Sequence, residues 1–299
     1  MPDEGESTER EMNPNGSDSQ AGTPKPQLKR RTNIWLVIVA ALFIIVPFLT
    51  WYGTWFGREL SDEDLAKYLA EEKNLRHIQH ALSQIEARIE KRDPTVKKFY
   101  PQVIALTKHP VAEIRKTCAW VMGQDPSVEE FHRALLPLLS DSEPLVRRNA
   151  ALQLVRFADG AGRFELRAML QPFEVRSSIA GTVASILPPG SKIKAGGLLA
   201  RIRDSSNTEQ EFRSPVDGAI SSVSIKDGQT VTVGQPIASL IPDRSTVLDA
   251  LRGLAYVGTR DDLSVIEPLS QGTTTSDAEI RQQATLAMKA IQSRQGGTK

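Results

Sequence analysis

Apolar residues recur along this chain in three patterns. From Asn33 to Gly57 there is no charge, and twelve of the residues from Ile34 to Leu49 are Ile, Leu, Val or Phe. Such a run is long enough for a hydrocarbon core of about 30 Å. Trp35 lies near one edge and Trp51, Tyr52 and Trp55 near the other, where an aromatic belt belongs. A transmembrane helix is therefore expected over 33–56. A buried soluble helix would need a large domain around it, and a cleaved signal peptide would have a shorter apolar region and a small-residue cleavage pattern. From Glu59 the pattern turns helical: Ile78, Ala81, Leu82, Ile85 and Ile89 fall on one face. From about Glu174 to Pro242 it changes again. Val183, Ile186, Ile220, Val223 and Ile225 stand in short runs broken by glycine, which predicts short strands and tight turns.

The strand region is one short sequence written twice. Allowing one inserted residue, Gly181 meets Gly218, Gly190 meets Gly228 and Gly196 meets Gly234; Leu199-Ala200 meets Ile237-Ala238. Pro189-Gly190 and Asp227-Gly228 are strong turn pairs. One copy is too small to bury a core, so two are expected to interleave about a pseudo-two-fold axis. The helical region repeats as well. Short helices at 96–106 and 131–139 each precede a helix with a common signature. It reads Glu113-Ile114-Arg115-Lys116-Thr117-Cys118-Ala119, then Val146-Arg147-Arg148-Asn149-Ala150-Ala151 32 residues later. A third copy, Glu279-Ile280-Arg281-Gln282-Gln283-Ala284-Thr285, follows the strands.

The double glycine motif resembles the biotinyl/lipoyl-like barrel-sandwich domain. Ser214-Pro215-Val216-Asp217-Gly218 through Asp227-Gly228 to Gln235-Pro236-Ile237-Ala238 is similar to the lipoyl half-motif of HlyD-like membrane-fusion (periplasmic adaptor) proteins. The arginine-bearing helix pairs resemble HEAT repeats of the phycobilisome-lyase-like type. The fold expected is multidomain: a single transmembrane helix, an α-helical HEAT-repeat solenoid, and an all-β barrel-sandwich hybrid inserted in it. The expected bounds are a disordered cytoplasmic tail over 1–32, the span over 33–56, HEAT helices over 59–170, the barrel-sandwich over 172–243 and further HEAT helices over 246–293. The insertion follows from order: 163–170 reads as the first helix of a pair whose partner appears only at 247–257.

Composition narrows the function. The 299 residues are 40% hydrophobic and 24% charged, ordinary for globular protein, and the net charge of +1 gives no basic field for nucleic acid. Residues 1–28 are polar and cannot offset the entropy of ordering. Lys25, Lys29, Arg30 and Arg31 precede the apolar run and Glu59, Asp62, Glu63 and Asp64 follow it. The positive-inside rule then puts the N-terminus in the cytoplasm of an inner-membrane protein and the remainder in the periplasm or outside the cell. The single Cys118 excludes an intrachain disulfide and occupies a position filled elsewhere by Ala150 and Ala284, as a packing residue would.

The chemistry is sparse. The resemblance implies a swinging-arm lysine at the turn joining the two halves, here Arg203 to Glu211, and no lysine lies between Lys194 and Lys226. No lipoyl or biotinyl cofactor is expected. In membrane-fusion proteins that turn carries a long helical hairpin and a β-barrel follows; here there are about nine residues, and helices follow. His77 and His80 sit at i, i+3 without a third ligand, His109 and His132 are isolated, and no metal site is expected. Asp261-Asp262 and Glu71-Glu72 read as solvated helix ends. Arg147 belongs to the repeated signature with Arg115 and Arg281, which makes it structural. No catalytic constellation appears. The expectation is a non-enzymatic, membrane-anchored adaptor or scaffold of a cell-envelope complex, with an export system as the candidate assembly. Its expected partners are membrane lipid along 33–56, envelope proteins such as a transporter, and further copies of itself. The alternative is a HEAT-repeat scaffold or lyase-like protein whose degenerate, unmodified lipoyl domain is a structural spacer.

Overall fold

The computed structural model describes residues 34–55, 59–71 and 73–296, with the side chains of 50–55 and 295–296 outside the description. The tail expected over 1–32 lies outside the described residues. Residues 1–58 and 59–299 are separate units. In the first, α1 (Ile34–Trp55) includes Pro47, and its large apolar side chains from Ile34 to Leu49 are exposed. That stretch rises about 24 Å at roughly 1.5 Å per residue, less than the hydrocarbon thickness of about 30 Å. Among the described residues no helix is long and apolar enough to cross a membrane. The span expected over 33–56 thus reaches past the described side chains.

The second unit begins with α2 (Asp62–Ala70), capped by Ser61, whose Oγ accepts from the Asp64 N–H at 3.1 Å, and α3 (Leu75–Glu90). Next come α4 (Tyr100–Ala105), α5 (Ala112–Gly123), α6 (Glu129–Leu135), α7 (Pro144–Arg156) and the short α8 (Arg163–Ala168). After the strands the chain continues in α9 (Arg244–Val257), α10 (Leu263–Ser270) and α11 (Ala278–Gly296). The second helix of each pair stacks on the next: α3 on α5, α5 on α7, α7 on α9 and α9 on α11. Small residues make the stacking close. A Cβ on Gly162 would stand 2.6 Å from the Ala151 Cα, so α7 and the start of α8 meet backbone to backbone. Cys118 is fully buried beside Ala119 in the first helical core, as packing requires.

The helical array carries two cores. One gathers α2 to α7 around Leu82, Ile85, Ile114, Phe131 and Leu135. The other joins Ala151, Leu166 and Met169 to Leu251, Leu254, Ile266, Ala284 and Ile291. This second core is built from both sides of the strand region, and α8 packs directly on α9.

Asp262, read from sequence as a solvated helix end, is fully buried. Its Oδ2 accepts from Arg163 Nε at 3.0 Å and from the Thr259 N–H at 2.7 Å, and Arg167 Nε lies 3.6 Å from Oδ1. The carboxylate bridges residues 99 apart, a partnership with no local sequence signal. Glu71 is likewise engaged, by His77 Nδ1 at 2.5 Å, while His77 stacks on Tyr68.

The strands are β1 (Phe173–Arg176), β2 (Gly181–Ile186), β3 (Lys192–Ile193), β4 (Leu198–Arg203), β5 (Glu209–Arg213), β6 (Gly218–Val223), β7 (Thr230–Val231) and β8 (Pro236–Pro242). They form two antiparallel sheets, ordered β1-β8-β6-β3 and β5-β4-β2-β7. Exchanging β1 to β4 with β5 to β8 turns one order into the other, which is the pseudo-two-fold symmetry of the repeat. Both inner faces supply a third core around Val183, Ile202, Ile220, Ile237 and Leu240.

Candidate functional site

The repeated glycines do two jobs. Gly181 and Gly218 allow close approach: a Cβ would lie 2.2 Å from the Arg203 carbonyl oxygen at the first and 2.5 Å from that of Ile241 at the second. Gly190, Gly196, Gly228 and Gly234 have φ of 87°, 76°, 81° and 84°, with open space where a Cβ would be, so they serve the turns. Hydrogen bonds repeat with them. Ser177 Oγ donates to the Ile179 carbonyl at 2.6 Å, and Ser214 Oγ to that of Val216 at 2.7 Å.

The turn joining the halves is a closed hairpin in which Arg203 pairs with Glu209. Asp204 organises it. One carboxylate oxygen accepts from the Ser206 and Thr208 N–H groups at 2.9 and 3.0 Å; the other accepts from Gln210 Nε2 at 2.7 Å. The Ser206 hydroxyl leads these donors, which together bring the Asp204 carboxyl down to about 2. Asn207 takes the positive φ of 62° that the tight turn requires. The tip therefore presents neither an amine nor a helical arm.

At its other end the β domain is fastened to the helices. Leu145 of α7 packs against the β core, and the Arg148 guanidinium lies 5.5 Å from the centre of the Phe173 ring. Arg148 is buried, with Glu165 Oε1 3.7 Å from its Nε. Burial lowers its pKa against the pull of Glu165, Asp217 and Asp243. Lys194 Nζ donates to Asp217 at 2.9 Å and to Asp243 at 3.0 Å, tying the β domain to the first turn of α9. Beside this clasp a groove of about 590 Å³ is lined by Lys192, Ile193, Gly218, Leu248, Asp249 and Arg252.

The signature arginines form a ladder. Arg115 Nη1 donates to the carbonyls of His109 and Pro110 at 2.9 and 3.0 Å, and its other nitrogens grip Asp141 at 2.6 and 2.7 Å. One repeat on, Arg147 Nη1 donates to the carbonyls of Asp141 and Ser142 at 2.8 and 3.1 Å, and its Nε to Glu165 at 3.2 Å. Each arginine thus fixes the turn before its own helix and an acid of the following repeat. Arg281, in α11, is exposed, and the structure gives it no equivalent grip among the described residues. The sequence reading missed Arg148 and His109 as buried residues; only the environment across the repeat distinguishes them from their exposed neighbours. Among the described residues, no group of three or more His, Cys, Asp or Glu side chains could hold a metal ion.

Residues 171–242 match the family model of the RND MFP barrel-sandwich hybrid domain. The chain carries a barrel-sandwich hybrid. Residues 133–161, from the end of α6 through α7, match the HEAT repeat model. No curated protein matches the chain. Among solved structures, an engineered protein is similar at 15% identity over 77% of this chain and 78% of its own, with a TM-score of 0.40. A single-chain, multi-domain long-chain acyl-CoA carboxylase is similar at 22% identity over 50% of this chain, with a TM-score of 0.23; this chain spans 15% of its length. Scores this low tie the chain to neither fold.

Proposed function

We propose that the protein is a non-enzymatic adaptor or scaffold of a cell-envelope complex, anchored in the inner membrane through residues 33–56 with residues 59–299 outside the cytoplasm. The hairpin at Asp204 to Thr208 carries this reading. A barrel-sandwich domain whose tip offers no lysine has no amine to acylate, and one without a helical arm has no long reach. What remains to it is surface: two sheets, four strand edges and a firm seat on a helical array, which itself offers an extended face for partners. The charge-free run and the exposed apolar side chains of α1 support the anchor. The cations before that run and the acids after it support the orientation. An export system is the assembly proposed, with a transporter subunit and further copies of this chain as partners.

In-cell crosslinking of the full-length protein, with mass spectrometry of what co-purifies in mild detergent, tests this. Crosslinks from 172–243 to transporter subunits or to a second copy are the expected result. Crosslinks confined to the helices, reaching unrelated envelope proteins, would replace it with the spacer reading. A lipoyl or biotinyl mass on the intact protein would sink both.

A further inference from the structure

The two sheets end in β1, β3, β5 and β7. β3 and β7 hold two residues each, and β1 sits against α7, where Arg148 lies over its Phe173 ring. β5 is the long open edge, five residues from Glu209 to Arg213, with every side chain but Phe212 exposed. Its backbone groups alternate in direction, as along any antiparallel pair. The Thr208 carbonyl accepts from the Asp204 N–H at 3.0 Å, and the Ser214 N–H donates to the Gly197 carbonyl at 2.8 Å, so the even-numbered residues face β4. The one irregularity of this pairing lies in β4, between Leu198 and Ala200, and leaves the alternation of β5 unbroken. Glu209, Glu211 and Arg213 therefore turn their N–H and C=O groups outward, where no strand meets them among the described residues.

An open edge is a template for another strand, and proteins that keep an edge to themselves place a proline, a bulge or an inward charge on it. β5 has none of these. Phe212 enters the β core, so Glu209, Glu211 and Arg213 stand on the outer face of the sheet and carry both signs of charge. We propose that β5 pairs antiparallel with β5 of a second copy, about a two-fold axis at Phe212. Outward-facing residues must then meet outward-facing residues, which leaves few registers, and charge selects among them. An axis at Gln210 sets Glu209 against Glu211 twice, one at Glu211 sets that residue against itself, and one at Arg213 does the same with arginine. Like charges directly opposite are unfavourable. Only the axis at Phe212 opposes no like pair, and it sets Glu211 of each copy against Arg213 of the other. Glu211 and Arg213 already pair along their own strand, but both are exposed, and such a pair is worth little and exchanges readily. This self-complementarity is what commits the edge to a second copy. Two short strands bury less than the roughly 1,200 Å² of a stable interface, so the pairing needs the local concentration that a shared membrane supplies. The proposal rests on the adaptor reading, which already expects an anchor and further copies, and names where the copies meet.

Energy transfer between full-length chains in lipid vesicles tests this. Chains carrying Ser205→Cys, at an exposed position of the neighbouring hairpin, are labelled separately with donor and acceptor dyes and reconstituted together at large lipid excess; the buried Cys118 stays unlabelled. The expected result is transfer well above that of randomly dispersed chains. Glu211→Arg in both donor and acceptor chains, or Arg213→Glu in both, opposes like charges at two positions and should cut the transfer about fivefold or more. A donor on one of these variants and an acceptor on the other sets opposite charges face to face again and should restore it. The pairing along each strand is lost in both variants, so that recovery can come only from contact between copies. Wild-type transfer at the level of random dispersal, variants that transfer as strongly as the wild type, or a mixture that recovers nothing would each overturn the proposal. Crosslinks from 172–243 to a transporter subunit would still support the adaptor reading in that case, so the two fail separately.

Discussion

Asp243 shows how much one carboxylate can hold. It caps α9, accepting from the Thr246 N–H at 3.0 Å, while its other oxygen takes Lys194. Burial alone would raise its pKa; the hydrogen bonds from Thr246, Lys194 and Ser245 outweigh that and hold it at about 2. A folded pKa below the ordinary value favours the native state at all pH above that ordinary value, and the benefit is lost as pH falls through the folded pKa. Asp243→Ala should therefore cost roughly 1–2 kcal/mol in urea denaturation at neutral pH, with the gap from wild type closing as pH drops from about 3.8 towards 2. Cys118 gives a second residue-scale prediction. Burial pushes its thiol up to about 12, so iodoacetamide should leave the native protein unlabelled and label it stoichiometrically in denaturant. The packing role of Cys118 was legible because its counterparts in the repeat are alanines. The burial of Asp262 was not, because its partner Arg163 is 99 residues away and neither neighbourhood announces the other.

Among the elements, the β domain was the most legible, since each repeated glycine stands where the backbone admits little else. The two glycine roles predict different costs. Gly218→Ala drives a Cβ to 2.5 Å from a carbonyl oxygen of β8 and must move a strand; it should cost roughly 2–3 kcal/mol. Gly228→Ala meets open space and only the strain of a positive φ, about 1 kcal/mol. Hydrogen exchange of the β6 and β8 amides separates the two: protection should fall far more in the first variant. The helix pairs were legible through their small residues and arginines. The hand-off from Arg115 to Asp141 and from Arg147 to Glu165 was not, because acids in turns read equally well as solvated. Arg115→Lys should loosen two repeats at once, as a lysine cannot grip a carboxylate with two nitrogens while reaching two carbonyls; faster exchange in both α5 and α7 would show it.

For the whole molecule, the governing feature is that β1 and β8 pair antiparallel, Phe173 opposite Leu240, so the strand region leaves and rejoins the helices at nearly one point. Replacing 172–243 by a short Gly-Ser linker should therefore leave a helical array that still unfolds cooperatively, followed by circular dichroism. Loss of helix in that variant would mean that the β domain is needed to hold α8 on α9. The same closeness has a consequence for synthesis. As the chain emerges from the ribosome, Ala151, Leu166 and Met169 are made before the β domain, and the residues that cover them only after it. At about 5–20 residues per second that face waits roughly 4–15 s for its cover. Through that interval the nascent protein carries an open apolar seam, and a chaperone that binds such seams has its opening there.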